Sequence, residues 1–211
     1  MRSVRRVIGV LGLAAGLAGP AAAQEAAKGA AKDDAAQGAH QVTLHVGAGG
    51  LHALAKLDRS GAWGTNSGVS VFGSAGIQLA ENLVVRADVD WARSEIQFQG
   101  VDFGFHLSRI FATAIAQVQL PSGSLNKYLL VGGGAAFLNQ HTSADPKQTV
   151  GTGIGGAGVA YQLGKSGVSL LAEGRVYLYQ TRGVIGNQTG APRVLWDASL
   201  GGGLSYAIGR F

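Results

Sequence analysis

The chain closes on Val194-Leu-Trp-Asp-Ala-Ser-Leu-Gly-Gly-Gly-Leu-Ser-Tyr-Ala-Ile-Gly-Arg-Phe211. Alternate positions read Val194, Trp196, Ala198, Leu200, Gly202, Leu204, Tyr206 and Ile208. The intervening ones read Asp197, Ser199, Gly201, Gly203, Ser205 and Ala207. Side chains on a strand point to opposite faces with a period of two, so this stretch predicts a long strand. One face is apolar and the other is small or polar.

The same alternation recurs upstream. It predicts strands over about Val42–Gly50, Gly68–Leu79, Leu83–Arg93, Val101–Leu120, Tyr128–Asn139, Thr149–Leu163 and Val168–Gln180. With the closing segment that makes eight. In the fourth, Phe103, Phe105 and Leu107 lead the apolar face, yet from Ile110 onward the even positions are apolar. This change of phase predicts a β-bulge near Ser108.

Hydrophobic residues make up 46% of the chain and charged residues 14%. After residue 23 no apolar run approaches the roughly 20 residues that a spanning helix needs. Strands that place only alternate residues in lipid reconcile high apolar content with broken runs. The connections also alternate. Ala80-Glu81-Asn82, Pro121–Lys127 and Gly164–Gly167 are short, whereas about Leu51–Ser67, Ser94–Gly100, Gln140–Gln148 and Thr181–Arg193 are generally longer. The fold expected is all-β: an eight-stranded antiparallel transmembrane up-and-down β-barrel. Its short turns and both termini lie on the periplasmic side and its longer loops outside. Trp91 and Trp196 then fall at the external interface and Tyr161 and Tyr206 at the periplasmic one, as two aromatic girdles.

The N-terminus carries Arg2, Arg5 and Arg6, then an apolar Val7–Gly19, then Pro20 and three alanines before Gln24. This is the layout of a signal peptide over 1–23, cleaved between Ala23 and Gln24. Losing three of 17 basic residues leaves 14 against 12 acidic ones, so the net charge falls from +5 to +2. A basic whole-chain balance is therefore no argument for nucleic acid. Residues 24–40 hold no large apolar side chain and are expected to form a flexible periplasmic tether. Residues 41–211 are expected to form one barrel domain. Cysteine is absent.

The runs Tyr128-Leu-Leu-Val-Gly-Gly-Gly-Ala, Gly153-Ile-Gly-Gly-Ala-Gly-Val-Ala-Tyr161-Gln-Leu and Ala172-Glu173-Gly-Arg175-Val-Tyr177 resemble later strands of the small OmpA-like outer-membrane barrels. That resemblance implies the bacterial outer membrane as the address. It implies outer-membrane lipid and lipopolysaccharide as surroundings, and barrel-assembly machinery and periplasmic chaperones as partners. Under it, Tyr206, Ile208 and Phe211 form the assembly signal. Family ends carry an aromatic two residues before the final Phe, and here that position is Gly209. A monomer is expected, with no cofactor and no nucleic acid.

An eight-stranded barrel is just wide enough for side chains to fill. Arg86, Asp88, Asp90, Glu173, Arg175 and Asp197 are predicted to face the lumen and to pair, because unpaired buried charge is costly. Strand glycines admit either close packing or water-filled space. The expected role is structural or surface-interacting, with a mostly plugged lumen and the loops as contact surface. The alternative is a narrow pore for small solutes.

A third possibility rests on Phe105-His106-Leu107-Ser108, whose His-x-Ser spacing resembles that of the lipid A deacylases. Residues i and i+2 share a strand face, so His106 can assist Ser108 as a base. Such a pair needs a third group to orient the histidine, and Ala112–Leu120 holds no acid. Arg109 stands where that family has Asn. The chain is therefore not expected to be an enzyme. His40, His45, His52 and His141 show no metal-ligand spacing. The Gly-rich runs near Gly47 and Gly151 lack the Lys-Ser/Thr of a phosphate loop.

Overall fold

The computed structural model describes residues 41–57, 61–120, 125–141, 147–181 and 193–210. The leader, the tether, the Ala23/Gln24 junction, His40 and Phe211 lie outside the described residues.

The strands are β1 (Gln41–Ala53), β2 (Trp63–Thr65), β3 (Gly68–Ala80), β4 (Leu83–Phe98), β5 (Val101–Leu120), β6 (Leu125–His141), β7 (Lys147–Gln162), β8 (Val168–Thr181) and β9 (Arg193–Arg210). Eight long strands follow one another as antiparallel neighbours, and β1 pairs with β9 to close the ring. Closure leaves no long-strand edge unpaired, as lipid surroundings require. No described helix is long and apolar enough to cross a membrane.

Alternation sets the two faces of the wall. On β4, Val85, Val89 and Trp91 are exposed on the outside while Arg86, Asp88 and Asp90 are buried inside. Large apolar side chains stay exposed round the wall, among them Val46, Ile77, Leu129, Val131, Leu170 and Leu200. A water-soluble protein does not tolerate such a belt, whereas lipid solvates it.

The structure departs from the sequence reading at the end of β4 and β5 expected to be external, the end called external below. Ser94–Gly100 is not a loop: β4 runs on to Phe98 and turns through Gln99 and Gly100 alone. Both have positive φ, 50° and 83°, the geometry of a two-residue hairpin turn that matches strand twist. The short strand β2 is a further addition to the eight expected. It docks on β4 with Trp63 opposite Phe98 at 4.7 Å between ring centroids, and Phe103 joins them at 6.0 Å from Trp63. A tilted strand crosses a bilayer in about 9–11 residues. β5 has 20, so this hairpin stands well clear of the apolar belt.

The bulge does not fall at Ser108. Glu95 pairs with His106 and Gln97 with Asp102, so Ile96 alone faces Phe103, Gly104 and Phe105. Gly104 takes φ 71°, where an L side chain is strained. The phase therefore changes before Leu107, which is buried inside rather than on the apolar outer face. A second irregularity lies at the end of β9. Val42 pairs with Ile208 and Gln41 with Arg210, so Gly209 is an extra residue on that strand.

Candidate functional site: the lumen and the outer rim

Five buried charges occupy the middle of the lumen, and their partners come from opposite walls. β4 and β8 are four long strands apart in either direction round the ring. Arg86 on β4 donates from Nη1 to Glu173 Oε2 on β8 at 3.0 Å. It grips Asp88 at two points, Nε to Oδ1 at 3.1 Å and Nη2 to Oδ2 at 2.7 Å, and donates to Gln117 Oε1 at 3.0 Å. Arg175 on β8 pairs with Glu173 through Nε, and its Nη2 lies 3.1 Å from Asp88 Oδ2. Tyr177 OH donates to Asp90 Oδ2 at 2.8 Å, again from β8 to β4. Tyr128 OH on β6 donates to Glu173 Oε2 at 2.8 Å.

A second crossing lies nearer the external end. Arg109 on β5 and Asp197 on β9 are also four long strands apart. Arg109 Nε lies 3.1 Å from Asp197 Oδ2, which also accepts from Tyr179 OH at 2.7 Å. Arg109 further donates to Ser94 Oγ at 2.6 Å and Thr65 Oγ1 at 3.3 Å. Charge-assisted bonds of this kind are the strong ones. They offset the desolvation of burying ions only when geometry and remaining donors are satisfied.

The first group holds three carboxylates (Asp88, Asp90, Glu173) against two guanidiniums (Arg86, Arg175). Asp90 is the least engaged of the three, with Arg175 at 3.8 Å and Oδ1 unpartnered.

Glycine and aromatic residues fit together round these charges. A Cβ on Gly201 would stand 2.9 Å from the Phe72 ring, and one on Gly47 or Gly158 would run into the rings of Phe72 or Tyr128. Inward glycines at these three positions therefore make room for rings. Arg175 lies over the Phe72 ring at 4.5 Å, a cation–π contact. Phe111 stacks on Tyr177 at 4.0 Å. Above the charges, Leu51, Ile96, Leu107, Leu138 and Leu195 gather at the external end of the lumen, all buried.

Alternation by itself does not single out Arg109 and Gln117 on β5 or Tyr128 on β6 as members of these networks. Tyr177 and Tyr179 continue the inward phase of Glu173 and Arg175 and were readable from it. Arg109 was obscured by the misplaced bulge.

Trp91 and Trp196 lie on the outer face toward the external end, and Tyr161 and Tyr206 toward the other. Tyr206 and Ile208 lie on β9 just before the extra Gly209.

His106 and Ser108 both lie on the outer face, at its external edge. No hydrogen bond joins them among the described residues, and His106 Nδ1 is unpartnered. The residue opposite His106 is Glu95. Its carboxylate is taken by Asn66 Nδ2 at 3.2 Å, while Glu95 N donates to Asn66 Oδ1 at 2.9 Å. An acid thus stands beside the histidine from across the hairpin rather than from Ala112–Leu120, but it is oriented by Asn66. Among the described residues no group of His, Asp or Glu has the arrangement of a metal site.

A ring of eight antiparallel staves, charged within and apolar without, is the fold of the small outer-membrane β-barrels. Solved structures share it. Neisserial surface protein A matches with a TM-score of 0.54 at 16% identity, over 80% of this chain and 96% of that one. A major outer membrane protein from Thermus thermophilus matches with a TM-score of 0.50 at 15% identity, over 79% and 99%. No family profile matches the chain. No curated protein sequence matches it either.

Proposed function

We propose that the protein is a non-enzymatic barrel of the bacterial outer membrane. Its lumen is closed, and its role is structural or surface-interacting through the external loops and the β4–β5 hairpin. The observation that carries this reading is the pair of crossings, Arg86–Glu173 and Arg109–Asp197, which tie opposite walls at 3.0 and 3.1 Å. Rings packed into the glycine positions and the buried leucines above them support it. The exposed apolar belt and the Arg-led apolar leader of residues 1–23 support the address, and the barrel inserts there as a monomer after cleavage of that leader. Its assembly there uses chaperones and the barrel-assembly machinery.

One observation favours a narrow solute path instead. Toward the periplasmic end, Thr43 Oγ1, both ring nitrogens of His45 and Ser74 Oγ are buried without hydrogen-bond partners among the described residues, as they would be beside water. Single-channel recording on the refolded barrel decides between the two. A silent bilayer is expected, and reproducible conductance steps would establish the pore.

A further inference from the structure

We propose that the outer wall of β4–β7 is a seat for the phosphate-bearing headgroup of a membrane lipid. This deepens the outer-membrane reading and rests on it for which leaflet supplies the lipid.

The register places four polar side chains side by side. Arg93 on β4 faces Ser108 on β5, Ser108 faces Asn139 on β6, and Asn139 faces Lys147 on β7. All four belong to the outward phase of their strands. The next row toward the membrane is Trp91, Ile110, Phe137 and Thr149, paired in the same order. Trp91, Ile110 and Phe137 are exposed large apolar groups. A row of cations and hydrogen-bonding groups thus borders directly on a surface that only acyl chains or a partner can cover.

Neither cation is already used by a described residue. Among the described residues Arg93 and Lys147 have no carboxylate within ion-pair distance. The nearby acid on the same face, Glu95, is engaged by Asn66. Among the described residues Asn139 Oδ1, and His106 Nδ1 one row above, are buried without a hydrogen-bond partner.

Among the described residues the rest of the wall offers no such row. At the corresponding external edge β8 and β9 present Gln180, Leu178, Val194 and Trp196, and β1 and β3 present His52, Gly50 and Val69. None of these is an acid or a permanent cation. Among the described strand residues the row of cations is therefore local to one side.

The chemistry selects the ligand. Two cations about 14 Å apart, at roughly 4.8 Å per strand step, suit an extended polyanion rather than one small ion. Arg forks and Lys point charges are the usual partners of phosphate. Asn139 and Ser108 between them suit hydroxyl or amide groups. The apolar row beneath suits the chains attached to such a headgroup.

The test is titration of the folded, detergent-solubilised barrel with bisphosphorylated lipid A, followed by native mass spectrometry or by the temperature at which gel mobility shifts. Detergent removes any dependence on where the cell places the protein, so failure here and failure of the outer-membrane reading are distinguishable. Arg93→Gln/Lys147→Gln should weaken binding about tenfold or more, from the loss of two charge-assisted contacts. Lys127→Gln, near the periplasmic edge, should leave it unchanged. Lipid A stripped of both phosphates should bind about as weakly as the double variant leaves the intact lipid. Binding of the double variant within about twofold of the parent overturns the proposal, since two such contacts are worth more than that. So does equal protection by inorganic phosphate alone, which would make the site one for a free anion.

Discussion

The Arg86 guanidinium and the Glu173 carboxylate meet at 3.0 Å across the full width of the barrel, 87 residues apart in the chain. Both are buried to within 1% or so of complete exclusion from solvent. Removing one partner strands the other, at a cost of about 3–5 kcal/mol. Glu173→Ala is therefore expected to lower the temperature at which the folded gel band converts to the unfolded one. Glu173→Gln should fall between, since it keeps an acceptor for Tyr128. An unchanged transition for Glu173→Ala would remove the crossing from any structural role.

Asp90 and Asp88 should behave oppositely. Asp88 engages both arginines, at 2.7 Å from Arg86 and 3.1 Å from Arg175, whereas Asp90 has a hydroxyl at 2.8 Å and Arg175 only at 3.8 Å. With three carboxylates and two guanidiniums, Asp90→Asn removes the surplus charge and keeps an acceptor for Tyr177. It is expected to be neutral or stabilising. Asp88→Asn is expected to cost about 3 kcal/mol or more, as for any broken buried pair. Thermal transitions of the two variants, measured side by side, check the order.

Gly158 and Tyr128 share one volume. A methyl at 158 would displace the Tyr128 ring and with it the 2.8 Å bond to Glu173. Gly158→Ala should destabilise by about 1–3 kcal/mol, the usual range for overpacking. Combined with Tyr128→Ala, the double loss should be clearly smaller than the sum of the single losses, because the clash goes with the ring. Strict additivity in a denaturant series would sink this account.

Ser108→Ala tests the enzyme alternative directly. Ser108 has no hydrogen bond to His106, and the acid opposite that histidine, Glu95, is held by Asn66. The acyl composition of outer-membrane lipid should be the same with parent or variant expressed. A change traced to the hydroxyl would reopen the hydrolase reading.

How much was legible beforehand depends on where each residue stands relative to lipid. Along Val85–Trp91 one face must be apolar, so alternation is enforced and Arg86, Asp88 and Asp90 could be read as inward from sequence. Beyond Arg93 that pressure ends. Ser94–Phe98 therefore looks like part of a polar loop although its backbone stays paired with β5 on either side of the bulge. The three residues opposite Ile96 shift the phase out of step, which hid the inward direction of Leu107 and Arg109. The crossings themselves were not readable. Arg86 with Glu173 and Arg109 with Asp197 depend on the number of staves and on the register summed round the ring, and no local pattern encodes that sum.

The crossings also bear on the order of events in folding. Each links one of the first four long strands, β4 or β5, to one of the last two, β8 or β9. A hairpin of β4 and β5 inserted early would carry Asp90 and Arg109 with their counter-charges still unthreaded, and Arg86 and Asp88 with only each other, an expensive state in hydrocarbon. Partial sheets are thereby penalised and the last strands are drawn in. Insertion should then be concerted, with no long-lived half-barrel, and a chain lacking β8 and β9 should stall outside the bilayer.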